Sequence, residues 1–443
     1  MALACVAVYF DMRIVPLNAR DAAKKSVDTT TRSNLMAASG SLWSAIMLGL
    51  CIYVFQIVTG RIQIAAFALS IAFLGLISQR ERFRFPPFLW IFVLWVAWAF
   101  IASFFSDYPE VARAAVIERL KVGAIILLAV NALRNEKQLQ AFLILLLVSF
   151  LVYPVRGTLL NYSRGITLAG RAAWNYIYSN PNDLAAASLI VFGAALAVAF
   201  AKAVPTWYRR LCAIGGILVF TVILLTQSRG AFIGLVVGFG PVAVMTALRG
   251  VRLSRLLLAV VATAVVAYSI PSSVWLRLQG ISKLGSVATI AQADIEGSAA
   301  ERYEIQKVAL RIFQDHPLMG VGLNAYRYAN ARYAPKLGLR DAHDTYLDLA
   351  AELGLPGLLI WCSMVASVLL QARKLRKAQP QVDAGIQQVW IERSLIAFLV
   401  AGFFGSYSSL SMPHVMLAVL WCLMMRRAEG VSSPTERVSA RMR

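Results

Sequence analysis

The chain has 443 residues, 59% of them hydrophobic and 15% charged, with a formal charge of +21 from 43 Lys and Arg against 22 Asp and Glu. At a mean hydropathy of +0.67 a soluble body of this size could not hide its apolar surface, which points to an integral membrane protein. Five cysteines and the absence of any low-complexity tract exclude a disulfide scaffold and a disordered chain.

The chain opens on a short apolar run, Ala2 to Phe10, interrupted by Asp11 and Arg13. That run is too short to span a bilayer and no small-residue cleavage site follows it, so no removable signal is read. Beyond it, apolar runs bounded by charge, Pro or Gly predict about twelve membrane spans. They lie near 35–59, 62–78, 85–105, 115–133, 138–155, 183–203, 211–227, 230–248, 253–271, 353–371, 391–409 and 411–425. The fourth opens with an amphipathic stretch, Arg113 to Lys121, of a kind that lies along the interface. The predicted fold class is therefore an all-α polytopic membrane protein. It divides into residues 1–271 with nine spans and an outer loop near 156–182, residues 272–352 as one long outer loop, and residues 353–443 with three spans and a tail. Cys5, Cys51, Cys212, Cys362 and Cys422 all fall in or beside apolar runs, as packing residues do.

Assigning the connections to alternate sides places 26 of the 43 basic residues on one side, including the N-terminal segment, Arg80/Arg82/Arg84, Arg249/Arg252/Arg255, Arg373/Lys374/Arg376/Lys377 and the tail. By the positive-inside rule that side is cytoplasmic, and both termini with it. The excess charge is then topological, and nucleic acid is not an expected partner. The span centres, such as 44–52, 91–99, 190–198 and 359–367, contain no Asp, Glu, Lys, Arg or His. A proton- or ion-coupled transporter would place ionisable groups there, so an enzyme at the outer surface fits better.

The cations that defy the charge rule are informative. Arg156, Arg164 and Arg171 occupy the first outer loop; Arg229 sits in the turn Gln227-Ser228-Arg229-Gly230; Arg302 lies on a predicted surface helix, Ala299 to Phe313. Outward arginines beside lipid suit a polyanion, because the guanidinium fork matches phosphate oxygens. An interfacial anchor is the plainer reading for Arg156, whereas Arg229, confined to a tight turn, has few routes to bulk water. Of three histidines, His316 lies in a Pro- and Gly-rich turn and is expected to tie down backbone, and His414 follows Pro413 at a span start as an interfacial residue. His343 opens a segment whose apolar positions Leu347, Ala350/Ala351 and Gly354 recur at helical spacing. It is expected in the first turn of that helix, kept neutral by the helix N-terminus and available as a general base. Asp344 and Asp348 read together as a solvated face and first-turn capping charge. His343 and Asp344 diverge on a helix and no HExxH-like pair exists, so no metal site and no cofactor are expected.

The Arg302 helix, the turn His316-Pro317-Leu318-Met319-Gly320-Val321-Gly322 and the His343 segment ending Glu352-Leu353-Gly354-Leu355-Pro356-Gly357 resemble the O-antigen ligase and polymerase superfamily. Gln227-Ser228-Arg229-Gly230 and Asn180-Pro181-Asn182-Asp183 are similar to further elements of it. The resemblance covers roughly residues 155–370. It implies a GT-C type glycosyltransferase in the inner membrane of a Gram-negative bacterium, acting on the periplasmic face, metal-independent and inverting. The implied donor is a glycan on undecaprenyl diphosphate; the implied acceptor is the lipid A-core oligosaccharide, both met within membrane lipid. Arg229, Arg302 and His343 match the family's functional positions, and Arg164 and Arg171 fall in a loosely patterned, substrate-binding region. Alternatives are the polymerase, an O-oligosaccharyltransferase acting on protein, and a non-enzymatic carrier of lipid-linked glycan. A monomer is the simplest expectation.

Overall fold

The computed structural model describes residues 44–59, 64–78, 83–248, 298–378 and 384–431. Among the described residues the structure is helical and contains no β-strand. In chain order the helices are α1 (Ala45–Thr59), α2 (Ala65–Ser78), α3 (Pro87–Ala102), α4 (Pro109–Ala132), α5 (Glu136–Phe150), α6 (Arg156–Ser163), α7 (Pro181–Ala199), α8 (Thr206–Leu225), α9 (Arg229–Leu248), α10 (Ser298–Asp315), α11 (Tyr326–Tyr333), α12 (Thr345–Ala378), α13 (Ala384–Ala401) and α14 (Met412–Val431). Every predicted span coincides with a helix except 253–271, which lies outside the described residues, as do residues 1–43 and much of the long outer loop. Among the described residues five helical segments are long and apolar enough to cross a membrane: Glu136–Ser163, Pro181–Ala199, Thr206–Leu225, Thr345–Ala378 and Gly385–Phe404. The chain is a polytopic helical membrane protein.

Local chemistry sets the helix ends. Pro87, Pro109 and Pro181 stand in first turns, where a missing N–H costs nothing. Asn135 and Gln138 form a reciprocal capping box at α5, and the Asn180 side chain accepts the Asn182 amide at α7. Crossings close where side chains are small: Gly193 of α7 lies against Ser394 of α13, and Gly238 of α9 against Ala397. Helix α7 is the central strut, with 78% of its apolar window buried. The predicted surface stretch from Arg113 to Lys121 is part of one unbroken helix, α4, whose Arg119 is buried and donates to the Ser409 carbonyl at 3.1 Å. Cys51, Cys212 and Cys422 are buried and Cys362 half-buried, all as free thiols.

Three boundaries differ from expectation, each for a physical reason. The first loop starts at Arg164, because α5 runs through a wide π-turn, Leu151–Val155, into α6. Pro154 lies in that turn; it lacks an N–H and crowds the carbonyl four residues back, and a wider turn relieves both without ending the helix. Arg156 is accordingly a helical, exposed residue. The eleventh helix of the prediction stops at Ala401, and residues 402–411 form a folded turn before α14. Helix α12 starts at Thr345, two residues beyond the first turn expected at His343, and is bent at Gly354 (φ 67°, ψ −175°).

Candidate active site

The bend in α12 builds one wall of the site. At Gly354 the helical ladder breaks, and the carbonyls of Ala351, Glu352 and Leu353 turn to new donors: Val321 N–H at 2.9 Å, Gly322 N–H at 2.9 Å and Trp98 Nε1 at 2.9 Å. In return the Leu355 N–H donates to the Pro317 carbonyl at 2.8 Å. The two glycine-bearing motifs are thus two halves of one joint. Gly320 and Gly354 both have positive φ, and a Cβ on either would strike backbone of the other motif, Glu352 and Leu318 respectively. The joint fixes α10 and α11 over a small core of Ile305, Ala309, Ile312, Val321 and Tyr326. Glu352, buried in the same joint, accepts the Tyr326 N–H through its carboxylate at 3.3 Å.

His343 does not lie in a helix. It precedes α12 in a left-handed conformation (φ 55°), and its N–H donates to Ser406 Oγ at 3.1 Å. Asp344 caps α12 instead, accepting the Tyr346 and Leu347 amides at 2.8 and 3.1 Å. The imidazole is neutral for a different reason from the one predicted: burial first, then the nearby Arg302 guanidinium, push its pKa down to about 4 against the opposing pull of Asp341 and Glu301. Thr345 Oγ1 donates to the Gly405 carbonyl at 2.6 Å and accepts the Tyr407 N–H at 2.9 Å. Those bonds staple the 402–411 turn to the base of the histidine.

The first loop reaches the same place through Arg171. Its buried guanidinium donates Nε to the Thr226 carbonyl at 2.8 Å and Nη2 to Asn182 Oδ1 at 2.6 Å. The Ala172 N–H donates to the Leu225 carbonyl at 3.0 Å and Gln227 Nε2 to the Gly170 carbonyl at 3.0 Å, so the loop and the α8–α9 turn are sewn together. Tyr407 closes the circuit by donating its hydroxyl to the Asn182 carbonyl at 3.3 Å. That phenol is fully enclosed; burial and Asp183 raise its pKa, while Arg302 and Arg171 pull it down, so both arginines lie within electrostatic reach of it. Arg229 opens α9, half-buried, and its neighbour Gly230 lies against Phe404 in the 402–411 turn. Arg302 is likewise half-buried on α10, where the adjacent Glu301 pairs with Arg340 at 2.9 Å. Arg164 is exposed at the end of α6.

The fold therefore brings His343, Arg302, Arg229 and Arg171 to one end of the bundle, and leaves Arg164 at its rim. It also enlists residues that sequence reading passed over. Asp348 is buried, not on a solvated face; its four-residue spacing from Glu352 on one side of α12 is the signal that could have marked it. Ser406 and Tyr407 fell inside an apolar run and carried no signal. The His316 ring approaches the Tyr333 hydroxyl at 3.4 Å instead of backbone. His414 is buried within the bundle, its Nδ1 3.1 Å from the Leu410 carbonyl and its ring edge-on to Phe92, instead of lying at an interface. Among the described residues no three His, Cys, Asp or Glu side chains gather as metal ligands.

Residues 214–362 match the family model described as O-antigen ligase. Over that stretch the chain is similar to the O-antigen ligase family, which supports membership of its superfamily. The matched stretch contains Arg229, Arg302 and His343 together with both halves of the α12 joint; Arg164 and Arg171 precede it. No curated protein matches the chain. The match supports, in general terms, an activity of the O-antigen ligase or polymerase type.

Proposed function

We propose that this superfamily member transfers O-antigen glycan from undecaprenyl diphosphate to lipid A-core oligosaccharide, as the ligase does, on the periplasmic face of the inner membrane with both termini cytoplasmic. The observation that carries the reading is the half-buried imidazole of His343 within electrostatic reach of the Arg302 guanidinium, at the end of the bundle where Arg229 opens α9. Displacement at an anomeric carbon needs a base for the acceptor hydroxyl on one side and charge stabilisation for the departing diphosphate on the other. A neutral imidazole supplies the first. The forks of Arg229 and Arg302 supply the second, in the role that a metal plays elsewhere. Inversion follows from a single in-line displacement. Arg171 acts through its neighbours: by gripping Thr226 and Asn182 it positions the turn that presents Arg229. Arg164, exposed at the rim, meets the glycan or diphosphate as it enters. The overall form is that of a GT-C enzyme with about twelve spans.

The test is transfer of lipid-linked glycan to lipid A-core in vesicles holding correctly inserted protein. His343→Ala lowers the rate about 10²–10⁴-fold, the usual worth of a positioned acid or base. Arg229→Lys, which keeps charge and removes the fork, is also severely impaired. Near wild-type transfer by His343→Ala would overturn the base assignment. A deletion strain with rough lipopolysaccharide and accumulated long lipid-linked polymer fits a ligase, whereas lipopolysaccharide capped with a single repeat fits the polymerase.

A further inference from the structure

At the end of α12 remote from His343, four arginines on three helices lie within electrostatic reach of one another, with one carboxylate among them. Arg376 of α12 donates Nη1 to Glu392 of α13 at 2.6 Å, and Glu392 is nearly fully enclosed. Arg393, next along α13, stands within electrostatic reach of Glu392, Arg376 and Arg373, and Arg427 of α14 within reach of Arg376. Arg427 is 2% exposed; its Nη1 donates to Gln388 Oε1 at 3.0 Å and its guanidinium lies along Gly385, where a Cβ would come within 3.0 Å of Nη1. The neighbouring Arg426 is satisfied separately by Glu136 at 3.3 Å.

The donors outnumber the acceptors. The Nε of Arg393 and the Nε of Arg427 are both buried without a hydrogen-bond partner, and so is Nε2 of Gln387, earlier in α13. A buried cation left short of acceptors is costly, and a cluster of them repels itself. What would settle both costs is a compact anion with several oxygens, and the forked geometry of guanidinium is matched to phosphate. Arg373 is exposed and Arg376 partly so, which leaves the cluster open from the membrane edge. Basic pockets between membrane helices hold anionic headgroups in this manner.

We propose that Arg373, Arg376, Arg393 and Arg427 form a binding site for a phosphate-bearing ligand, the headgroup of an anionic membrane lipid, separate from the transfer site. The site uses none of the residues of the proposed transfer reaction, so the two stand or fall apart. The test measures the melting temperature of the full chain in neutral detergent with phosphatidylglycerol, phosphatidylcholine or inorganic phosphate. Phosphatidylglycerol raises it and phosphatidylcholine does not. In Arg373→Gln/Arg393→Gln, which spares the enclosed Arg427 and the Arg376–Glu392 pair, phosphatidylglycerol binds about 25-fold more weakly, on a worth of about 1 kcal/mol for each cation. Equal stabilisation of the double variant and the wild type, or none by phosphatidylglycerol in the wild type, overturns the site. A full shift with millimolar inorganic phosphate keeps the phosphate chemistry and overturns the lipid as its source.

Discussion

The segments that carry Arg171 and Arg302 are fastened to the same end of the bundle by opposite devices. The first is held by a side chain: one buried guanidinium grips a carbonyl of the α8–α9 turn and an amide of α7. The second is held by main chain: amides of 321 and 322 meet carbonyls that the bend at Gly354 releases from α12. A guanidinium consumed in holding the fold is not available to a substrate, whereas a joint between main-chain groups does not draw on the Arg302 side chain. The contrast is why the proposed reaction gives the two outward arginines different parts, Arg171 as a positioning residue and Arg302 as the partner of His343.

The largest expected effect separates those parts. Arg302→Ala lowers glycan transfer about 10²–10³-fold, the usual cost of one lost transition-state donor, while the melting temperature stays near wild type because the residue is half-exposed. Arg171→Ala behaves the other way, losing about 1.5–3 kcal/mol of stability with each charged hydrogen bond removed, and losing activity only in step with misplacement of Arg229. Thermal melting and initial rates on both variants check the contrast. An Arg171→Ala protein that melts normally yet transfers nothing would move Arg171 into the substrate's grip and erase the distinction.

The main-chain joint is the next place to press. Gly354→Ala forces a Cβ into a positive-φ backbone directly against the Leu318 carbonyl. The backbone strain alone costs about 1–3 kcal/mol, and α10 loses its register over the site without any change to Arg302 or His343. Limited proteolysis should find the 298–344 segment cut faster in this variant. Resistance equal to wild type would show that the joint does not hold the second segment. A smaller change, Trp98→Phe, removes only the donor to the Leu353 carbonyl, at about 0.5–1.5 kcal/mol, and should lower the melting temperature by less.

How far the sequence reveals this arrangement depends on which forces are local. Helix positions were legible because span length and apolar runs reflect the bilayer itself, and α10 was found within two residues because its amphipathic pattern is its own. The Glu352–Gly357 and His316–Gly322 motifs were visible as motifs, but their union was not: hydrogen bonds between main chains leave no trace in side-chain chemistry beyond the glycines that permit them. His343 was singled out by its chemistry and misplaced onto a helix, since Asp344, one residue on, is the better cap. Arg119 and Tyr407 were passed over because polar residues inside an apolar run look like exceptions until their partners, Ser409 and Asn182, come into view from distant parts of the chain; Asp348 was read as surface charge because its partner, Ser406, is equally distant.

The subtlest prediction concerns the proton on His343. Its folded pKa, about 4, lies below the ordinary value of 6.5, so the unfolded chain takes up the proton first as pH falls. The stability that the neutral ring contributes is therefore complete above about pH 6.5, is lost progressively between 6.5 and 4, and changes no further below that. Over the same window the ring remains a base, and transfer should stay level from neutral pH down toward 5. Because Arg302 is the second cause of the depression, Arg302→Gln raises the His343 pKa part of the way back and brings the acid limb closer to neutrality, a shift that a merely structural arginine would not produce. With only three histidines in the chain, selective labelling of their rings allows each to be titrated by NMR. A His343 titration unmoved by Arg302→Gln would show that burial alone keeps the ring neutral, and would separate the base from the clamp that the contrast between the two segments joins to it.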